Sequence, residues 1–174
     1  ACGAGARSAV HREAGYGRVV VTSSNAGILG NFGQSNYGAA KMGLIGLMNV
    51  LCQEGAKHGI AINAVAPVAG TRMTRDILGP MAEMLSPESV SPVVAYLCSE
   101  ENPFSGELWS VAGGTVSRFF IGLPPGYVKH PERDGPLTPE DVAANVAAVR
   151  AEEGYTVPGS ARDEVAKLAG LLAG

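Results

Sequence analysis

The sequence predicts an α/β fold built on a parallel sheet. Three short, mainly apolar runs, 18–22, 59–65 and 106–112, are separated by longer patterns typical of helices. Apolar runs without polar alternation are typical of strands that are buried on both faces of a parallel sheet. The alternation of such strands with helices predicts parallel strands joined by helical crossovers up to residue 114. Residues 115–174 contain two helix-start signals and are expected to form an extension.

The composition predicts a folded protein with a sizeable core. Of the 174 residues, 46% are hydrophobic and 17% are charged, and the net charge is −3. This balance excludes a disordered chain, and the charge gives no electrostatic reason to expect nucleic acid as a partner. The apolar runs are far shorter than the roughly 20 residues needed to cross a bilayer, so no membrane span is expected.

Cysteine and histidine placement predicts neither a disulfide framework nor a metal site. Cys2, Cys52 and Cys98 are odd in number and widely spaced, and no Cys-x-x-Cys pair or His/Cys cluster is present. We expect the three cysteines to act as small apolar side chains that stay reduced in the cytoplasm. The chain begins without Met and shows no basic segment followed by a long apolar one, so we expect a fragment or processed chain rather than a signal-bearing precursor.

Local signals place the first elements in order. Arg7–Ala14 is predicted to end a helix that closes at Gly15, and Arg18–Thr22 is the first strand. The loop 23–34 is dense in Gly, Ser and Asn, which suits a close approach of the backbone to a ligand. The long helix Ser35–Ala56 follows. It carries three glycines that each cost up to about 1 kcal/mol relative to Ala, which favours close packing as at a subunit interface: Gly38, Gly43 and Gly46.

The later elements are predicted in the same way. The second strand, Gly59–Val65, is ended by Pro67. A short helix over 76–85 and a longer one over 87–99 come next, and the latter has an apolar stripe at helical spacing, Val90, Val93, Val94 and Leu97. The third strand, Gly106–Ala112, is closed by two glycines.

The extension begins with an aromatic, partly extended piece over 117–129. Thr138 is a strong N-cap, with Pro at the first helical position and acids in the first turn, and its helix is expected to run to Glu152. A second capping signature at 160–163 opens a final helix. Its apolar side is Val165, Leu168, Leu171 and Leu172.

Ser24, Tyr37 and Lys41 are the candidate catalytic residues. Tyr37 and Lys41 stand four apart and share a helix face, while Ser24 follows the first strand. A tyrosine, with a reference pKa of about 10, is a poor base at neutral pH, but a lysine one turn away favours the phenolate. The phenolate can then take a proton from an alcohol as hydride leaves, with Ser24 holding the substrate oxygen. The same three residues at this spacing could instead be a core tyrosine, a loop serine and a solvated lysine with no catalytic role.

The motifs resemble the short-chain dehydrogenases/reductases. The similarity lies in the strand RVVVTSS at 18–24, the run GNFGQSNY at 30–37, the Ala-Ala-Lys at 39–41, the run NAVAP at 63–67 and the closing Gly113-Gly114. Within the family the chain is similar to the (3R)-hydroxyacyl-CoA dehydrogenase domains of peroxisomal multifunctional β-oxidation enzymes and their bacterial relatives. The additional marks are the loop APVAGTRMT at 66–74 and the segment Pro136–Glu140.

The resemblance implies a Rossmann-like, doubly wound parallel sheet of which this chain holds the C-terminal half. It implies a partial dehydrogenase domain over 1–114, without the N-terminal dinucleotide-binding half, and an extension with two helices over 115–174. Ser24, Tyr37 and Lys41 would be catalytic. The cofactor would be NAD or NADP, with NAD favoured, and it would contact Tyr37, Lys41, Pro67, Val68, Gly70 and Thr71.

The resemblance further implies an acyl-CoA-like substrate, a homodimer, and a peroxisomal location if the source is eukaryotic. Two other readings stay open. One is a dehydrogenase or reductase with another alcohol or carbonyl substrate, such as 3-oxoacyl-ACP. The other is a truncated, non-catalytic chain that serves as an interaction module. Without an N-terminal half, strand 18–22 would lose a neighbour and expose an edge.

Overall fold

A four-stranded sheet organises the first part of the chain. The computed structural model describes residues 13–173, and the chain divides into two units, Ala1–Phe119 and Phe120–Gly174. The described part of the first unit contains four strands in the order β1-β2-β3-β4. They are β1 (Gly17–Thr22), β2 (Ile60–Pro67), β3 (Leu108–Ala112) and β4 (Thr115–Phe119).

Three of the four strands are parallel, which confirms the predicted fold class. β1 pairs with β2 so that Gly17 faces Ile60, and β2 pairs with β3 so that Ala64 faces Leu108. Both pairings are parallel. Among the described residues β1 has a strand partner on one side only, so its other edge is open.

One face of the sheet packs on the long helix. Helix α2 (Ser35–Ala56) has the predicted bounds, and it follows a short helix α1 (Asn25–Ile28). Because side chains alternate along a strand, every second residue of β2 points to this face. The buried cluster there is Ile45, Met48, Ile60, Ile62, Ala64, Ala66 and Leu108.

The other face packs on a second helix, so the sheet is covered on both sides. Helix α4 (Ser91–Leu97) contributes the predicted apolar stripe, and Val65 and Val111 are buried beneath it. The predicted helix over 87–99 is shorter than expected, because Pro87–Ser89 forms a separate 3₁₀ turn. The proline at 92 then occupies the first turn of α4, where it removes no helical hydrogen bond.

The helix predicted over 76–85 is also interrupted. Helix α3 (Arg75–Leu78) ends after one turn, and Gly79–Glu83 continues as a 3₁₀ helix. Gly79 adopts a φ of +55°, a left-handed conformation that ends a helix. Of the helix predicted over 7–14, residues 7–12 lie outside the described residues, and Gly15 has the positive φ expected of its C-cap.

Strand β4 was not predicted as a strand, although its residues 117–119 lie in the piece that was expected to be partly extended. It pairs antiparallel with β3, so that Leu108 faces Phe119 and Ala112 faces Thr115. The turn between the strands is Gly113-Gly114, both with positive φ, which suits a tight hairpin. The sequence-based boundary at residue 114 therefore falls within a hairpin of the first unit.

The second unit consists of short helices and loops, and none of its described residues is buried. Its helices are α5 (Pro131–Asp134), α6 (Pro139–Ala144), α7 (Val146–Arg150) and α8 (Ala161–Ala173). Thr138 caps α6 as predicted, in a capping box with Asp141. The helix expected to reach Glu152 is broken at Asn145, whose side-chain amide donates to the Asp141 carbonyl. In α8, three of the four predicted apolar residues are exposed: Val165, Leu168 and Leu172.

Candidate active site

A cleft of about 710 Å³ lies beside the carboxyl ends of β1 and β2. In open parallel sheets this edge is where ligands bind, since loops from neighbouring strands diverge there. The lining comes from the loop and helix after β1, the first turn of α2, and the segment after β2. Three of the predicted site residues on this lining are Ser24, Tyr37 and Pro67.

Ser24 lies at the point where β1 gives way to helix α1. Its backbone is extended, and its Oγ accepts a hydrogen bond of 3.2 Å from the backbone N–H of Ala26, so the side chain caps the helix. The same hydroxyl donates to Oδ1 of Asn25 at 3.3 Å, a long bond that is easily exchanged for another acceptor. The serine hydroxyl is therefore held at the cleft wall with a donor that can be redirected.

Tyr37 and Lys41 lie one helical turn apart in α2. Tyr37 is 43% exposed and lines the cleft. The Nζ atom of Lys41 lies 5.7 Å from the centroid of the Tyr37 ring, and it donates a hydrogen bond of 2.9 Å to the carbonyl of Thr22. The structure thus brings the serine and the tyrosine to one cleft, with the lysine ammonium beside the tyrosine ring.

The predicted cofactor contacts after β2 fall into two groups. Pro67 and Val68 line the cleft, and the N–H of Val68 donates to the Val111 carbonyl, which fixes the chain at the end of the strand. Gly70 and Thr71 do not line it. Gly70 packs so tightly that an added Cβ would lie 2.0 Å from the carbonyl oxygen of Ala82, so its small size is needed for packing.

A hydroxyl that sequence reasoning missed lies three residues further on. Thr74 lines the cleft, and its Oγ1 donates to the Ala69 carbonyl at 2.5 Å and lies 3.1 Å from Oγ1 of Thr71. The two threonine hydroxyls are therefore coupled. Nothing in the spacing distinguishes the two hydroxyls, because the difference arises from the turn that the loop makes before α3.

The rest of the lining has a polar side and an apolar side. Four side-chain amides form the polar part: Asn25, Asn31, Gln34 and Asn36. Large apolar side chains form the other part: Leu29, Met73, Ile77 and Leu78. Among the described residues of the lining, none carries a charge. Such a cleft suits a neutral polar group attached to an apolar chain. Of these amide and apolar residues, the sequence indicated only those in the glycine-rich loop 23–34.

The described residues show no metal site beside the cleft. Within residues 13–173, no group of three or more His, Cys, Asp or Glu side chains is placed to hold a metal ion. Burial raises the pKa of the Cys52 thiol, and this residue does not line the cleft. In the same part of the chain, no helix is both long and apolar enough to cross a membrane.

Comparison with known proteins shows which family the chain resembles. The family profile of the short chain dehydrogenases matches residues 4–79, which include every predicted site residue. A short-chain type dehydrogenase/reductase of Mycobacterium tuberculosis is 50% identical over 149 residues, covering 85% of this chain and 51% of that protein. An acetoacetyl-CoA reductase of Acinetobacter is 38% identical over 110 residues, covering 56% of this chain and 44% of the reductase.

A solved structure shares the fold over most of the chain. The full-length peroxisomal multifunctional enzyme type 2 of Drosophila melanogaster superposes with a TM-score of 0.83 at 36% identity. The match covers 94% of this chain and 30% of that enzyme. The chain spans about half the length of the two curated relatives.

Proposed function

Because the chain belongs to the short-chain dehydrogenase family, we propose that its cleft serves an oxidoreductase. The reaction is hydride transfer between NAD(P) and the 3-hydroxyl or 3-keto group of an acyl-CoA-like substrate. The observation that carries the proposal is the placement of Ser24 and Tyr37 on one cleft with the Lys41 ammonium beside the tyrosine ring.

Tyr37 handles the proton in this proposal. In the oxidative direction its phenolate oxygen takes the proton of the substrate alcohol, and in the reductive direction the phenol returns a proton to the carbonyl oxygen. The positively charged ammonium of Lys41 lies beside the tyrosine, 5.7 Å from the centroid of its ring. Ser24 donates to the same substrate oxygen, in exchange for its long bond to Asn25.

The described residues fit the nicotinamide end of a dinucleotide. Pro67 and Val68 give apolar surface, and the amides of the cleft give hydrogen-bond partners for a carboxamide. Pro67, Val68 and Tyr37 would hold this end, and Lys41 would reach a ribose hydroxyl. When bound, the nicotinamide accepts or supplies the hydride. NAD is proposed over NADP on the family resemblance, and cofactor roles for Gly70 and Thr71 are proposed on the same ground.

Two observations support an acyl substrate. The cleft lining is uncharged, and its apolar side is formed by side chains that are largely open to solvent, including Met73 at 88% and Ile77 at 81% exposure. An apolar chain that covered them would remove that surface from water, at about 25 cal/mol per Å². One relative is an acetoacetyl-CoA reductase, whose substrate is a 3-oxoacyl-CoA.

We also propose that the protein forms a homodimer through helix α2. We propose a cytoplasmic location, or a peroxisomal one if the source is eukaryotic. Gly43 and Gly46 have open space around them within the chain. Three large apolar residues of the same helix are exposed: Met42, Leu47 and Val50. Glycines on an exposed helix let a second backbone approach closely.

The test is a substrate and cofactor comparison on the protein at its natural full length. Oxidation of 3-hydroxyacyl-CoA is followed at 340 nm with NAD and with NADP, beside a 3-hydroxyacyl-ACP and a simple secondary alcohol. We expect the CoA thioester with NAD to give the highest kcat/KM. A preference for the ACP thioester would assign the reductase alternative, and no turnover with any pair would reject the proposed function.

A further inference from the structure

Ser23 joins three elements of the first unit although it does not line the cleft. Its side chain is only 3% exposed. Its Oγ donates a hydrogen bond of 2.8 Å to the carbonyl of Lys41 in helix α2, and its backbone N–H donates to the Val65 carbonyl in β2 at 2.7 Å. The residue immediately before Ser24 is therefore fixed to both the neighbouring strand and the helix that carries Tyr37.

Lys41 is contacted from the same loop at two more points. Its Nζ donates to the carbonyl of Thr22, directly before Ser23. On the other side of Ser24, the absence of a side chain at Gly27 lets helix α1 lie against Lys41, because an added Cβ would come within 2.8 Å of the Lys41 Cβ. The loop thus meets one residue of α2 both before and after Ser24.

The Ser23 hydrogen bond is not needed to satisfy a buried acceptor. Lys41 lies inside α2, where its carbonyl already accepts the helix's own bond from the N–H four residues later. Removal of the Ser23 hydroxyl therefore leaves no unpaired carbonyl. What it removes is a fixed distance between the loop and the helix.

We propose that Ser23 is a positioning residue, which sets the Ser24 hydroxyl relative to the Tyr37–Lys41 pair by anchoring the loop to the Lys41 carbonyl. This inference rests on the proposed function, since it assigns the geometry a role in that reaction. Ser24 and Tyr37 must meet one substrate oxygen, and catalytic groups tolerate errors of about 0.5 Å. A misplacement of about 1 Å reduces the rate by up to roughly 100-fold.

The first test compares Ser23→Ala with Ser35→Ala in the protein at its natural full length. Ser35 is an exposed serine of α2 that does not line the cleft, so its variant controls for loss of a hydroxyl. We expect S23A to lower kcat by about tenfold or more, to leave the substrate KM within about twofold, and to raise the isotope effect of a deuterated substrate on kcat. Ser23→Thr, which keeps the hydroxyl, should restore kcat. A kcat of S23A within twofold of wild type, or an unchanged isotope effect, would overturn the positioning role.

A second measurement needs no activity. Amide hydrogen exchange is followed at Gly27, Ile28 and Leu29, whose N–H groups bond back to residues 24 and 25. In S23A these amides should exchange several-fold faster, while those in the middle of α2 stay unchanged. Equal exchange in wild type and S23A would refute the anchoring itself. Faster exchange with a wild type that lacks dehydrogenase activity would instead count against the proposed function and leave the anchor standing.

Discussion

Gly27 and Lys41 are in contact so close that a Cβ atom placed on Gly27 would lie 2.8 Å from the Cβ of Lys41 and 3.0 Å from the backbone nitrogen of Met42. Real Cβ atoms do not approach other atoms this closely, because the repulsion rises steeply below the van der Waals distance. Helix α1 can therefore lie against α2 only if residue 27 has no side chain.

Gly27→Ala is expected to push α1 away from α2. Overpacking of this kind destabilises a protein by about 1–3 kcal/mol, and it would also displace Ser24, which caps α1. Chemical denaturation should show the loss, and kcat should fall in the molecules that remain folded. Gly170→Ala is the control, since that helical glycine has open space around it. Wild-type kcat in the alanine variant at position 27 would contradict the close packing.

Tyr37→Phe removes the phenol oxygen and keeps the ring. We expect kcat to fall by about 100-fold or more, because general acid–base catalysis contributes about 100- to 10,000-fold to a rate. Cofactor affinity, measured by fluorescence titration, should change little. Tyr16→Phe is a matched control, because Tyr16 is exposed to a similar degree, at 39%, and stacks under Arg18. Retained turnover in the variant at position 37 would exclude this tyrosine from proton transfer.

Gly70→Ala tests whether Gly70 acts through packing or through cofactor contact. The added methyl group would meet the Ala82 carbonyl at 2.0 Å, and the bond from the Gly70 N–H to the Leu85 carbonyl would be displaced. We expect lower thermal stability, read by calorimetry without any nucleotide present. A variant with unchanged melting temperature and weaker nucleotide binding would assign Gly70 to the cofactor site instead.

Gly43→Leu tests the proposed dimer face. The position has open space within the chain, so a leucine should leave the folded subunit intact. If a second α2 helix packs there, the side chain would separate the backbones and weaken the dimer by tenfold or more in Kd, which sedimentation measures. Gly170→Leu in α8 is the control. A dimer of unchanged affinity would place the interface elsewhere.

Asp141 makes the second unit sensitive to acid. Its Oδ2 accepts from Lys129 Nζ at 2.5 Å and from the N–H and hydroxyl of Thr138, and the bond from Lys129 in particular holds the pKa of this carboxyl below its usual 3.8. A lowered folded-state pKa stabilises the fold above the unfolded value and loses that stabilisation as the pH falls through the folded one. The capping of α6 should therefore hold at pH 5 and weaken below about pH 4.

Amide exchange of Thr138, Glu140 and Asp141 between pH 5 and 2.5 checks this prediction, with rates corrected for the intrinsic pH dependence. Asp141→Asn should show weaker protection already at pH 5. Asp76→Asn, at an exposed position of the first unit, should behave like the wild type. Protection that is constant over this range would contradict the coupling between Lys129 and the cap.

Helix α2 and the cap of α6 could be predicted because their signals are local. The segment from Ser35 to Ala56 is rich in Ala, Met and Leu and contains no proline, and Thr138-Pro139 marks a helix start by backbone chemistry alone. The shared cleft of Ser24 and Tyr37 was also predictable, because the end of a parallel strand and the next helix meet at one edge of the sheet. The Gly79-Pro80 pair was a visible sign that the helix over 76–85 would break.

Other features depend on contacts between distant parts of the chain. Strand β4 is short and mostly exposed, so its sequence TVSRF lacks the apolar alternation by which a half-buried strand is predicted. Ser23 reads as a second loop serine, and only the fold brings its hydroxyl to the Lys41 carbonyl. Thr74 lines the cleft where Thr71 was predicted to do so, and this difference likewise depends on a turn that no residue type specifies.

We expect the two kinds of strand pairing in the first unit to form at different rates. The β3–β4 hairpin closes through a two-residue turn, and hairpins form in about 1–10 μs. The β1–β2 pairing joins Gly17 to Ile60 across the whole of α2, and we expect it to form more slowly, because a long loop must close first. Ser24 follows the first of these strands and Pro67 ends the second. We therefore expect a chain that refolds from denaturant to form the β1–β2 edge, which carries Ser24, after the hairpin, and mutations that slow the β1–β2 closure to delay the gain of activity more than the gain of helix.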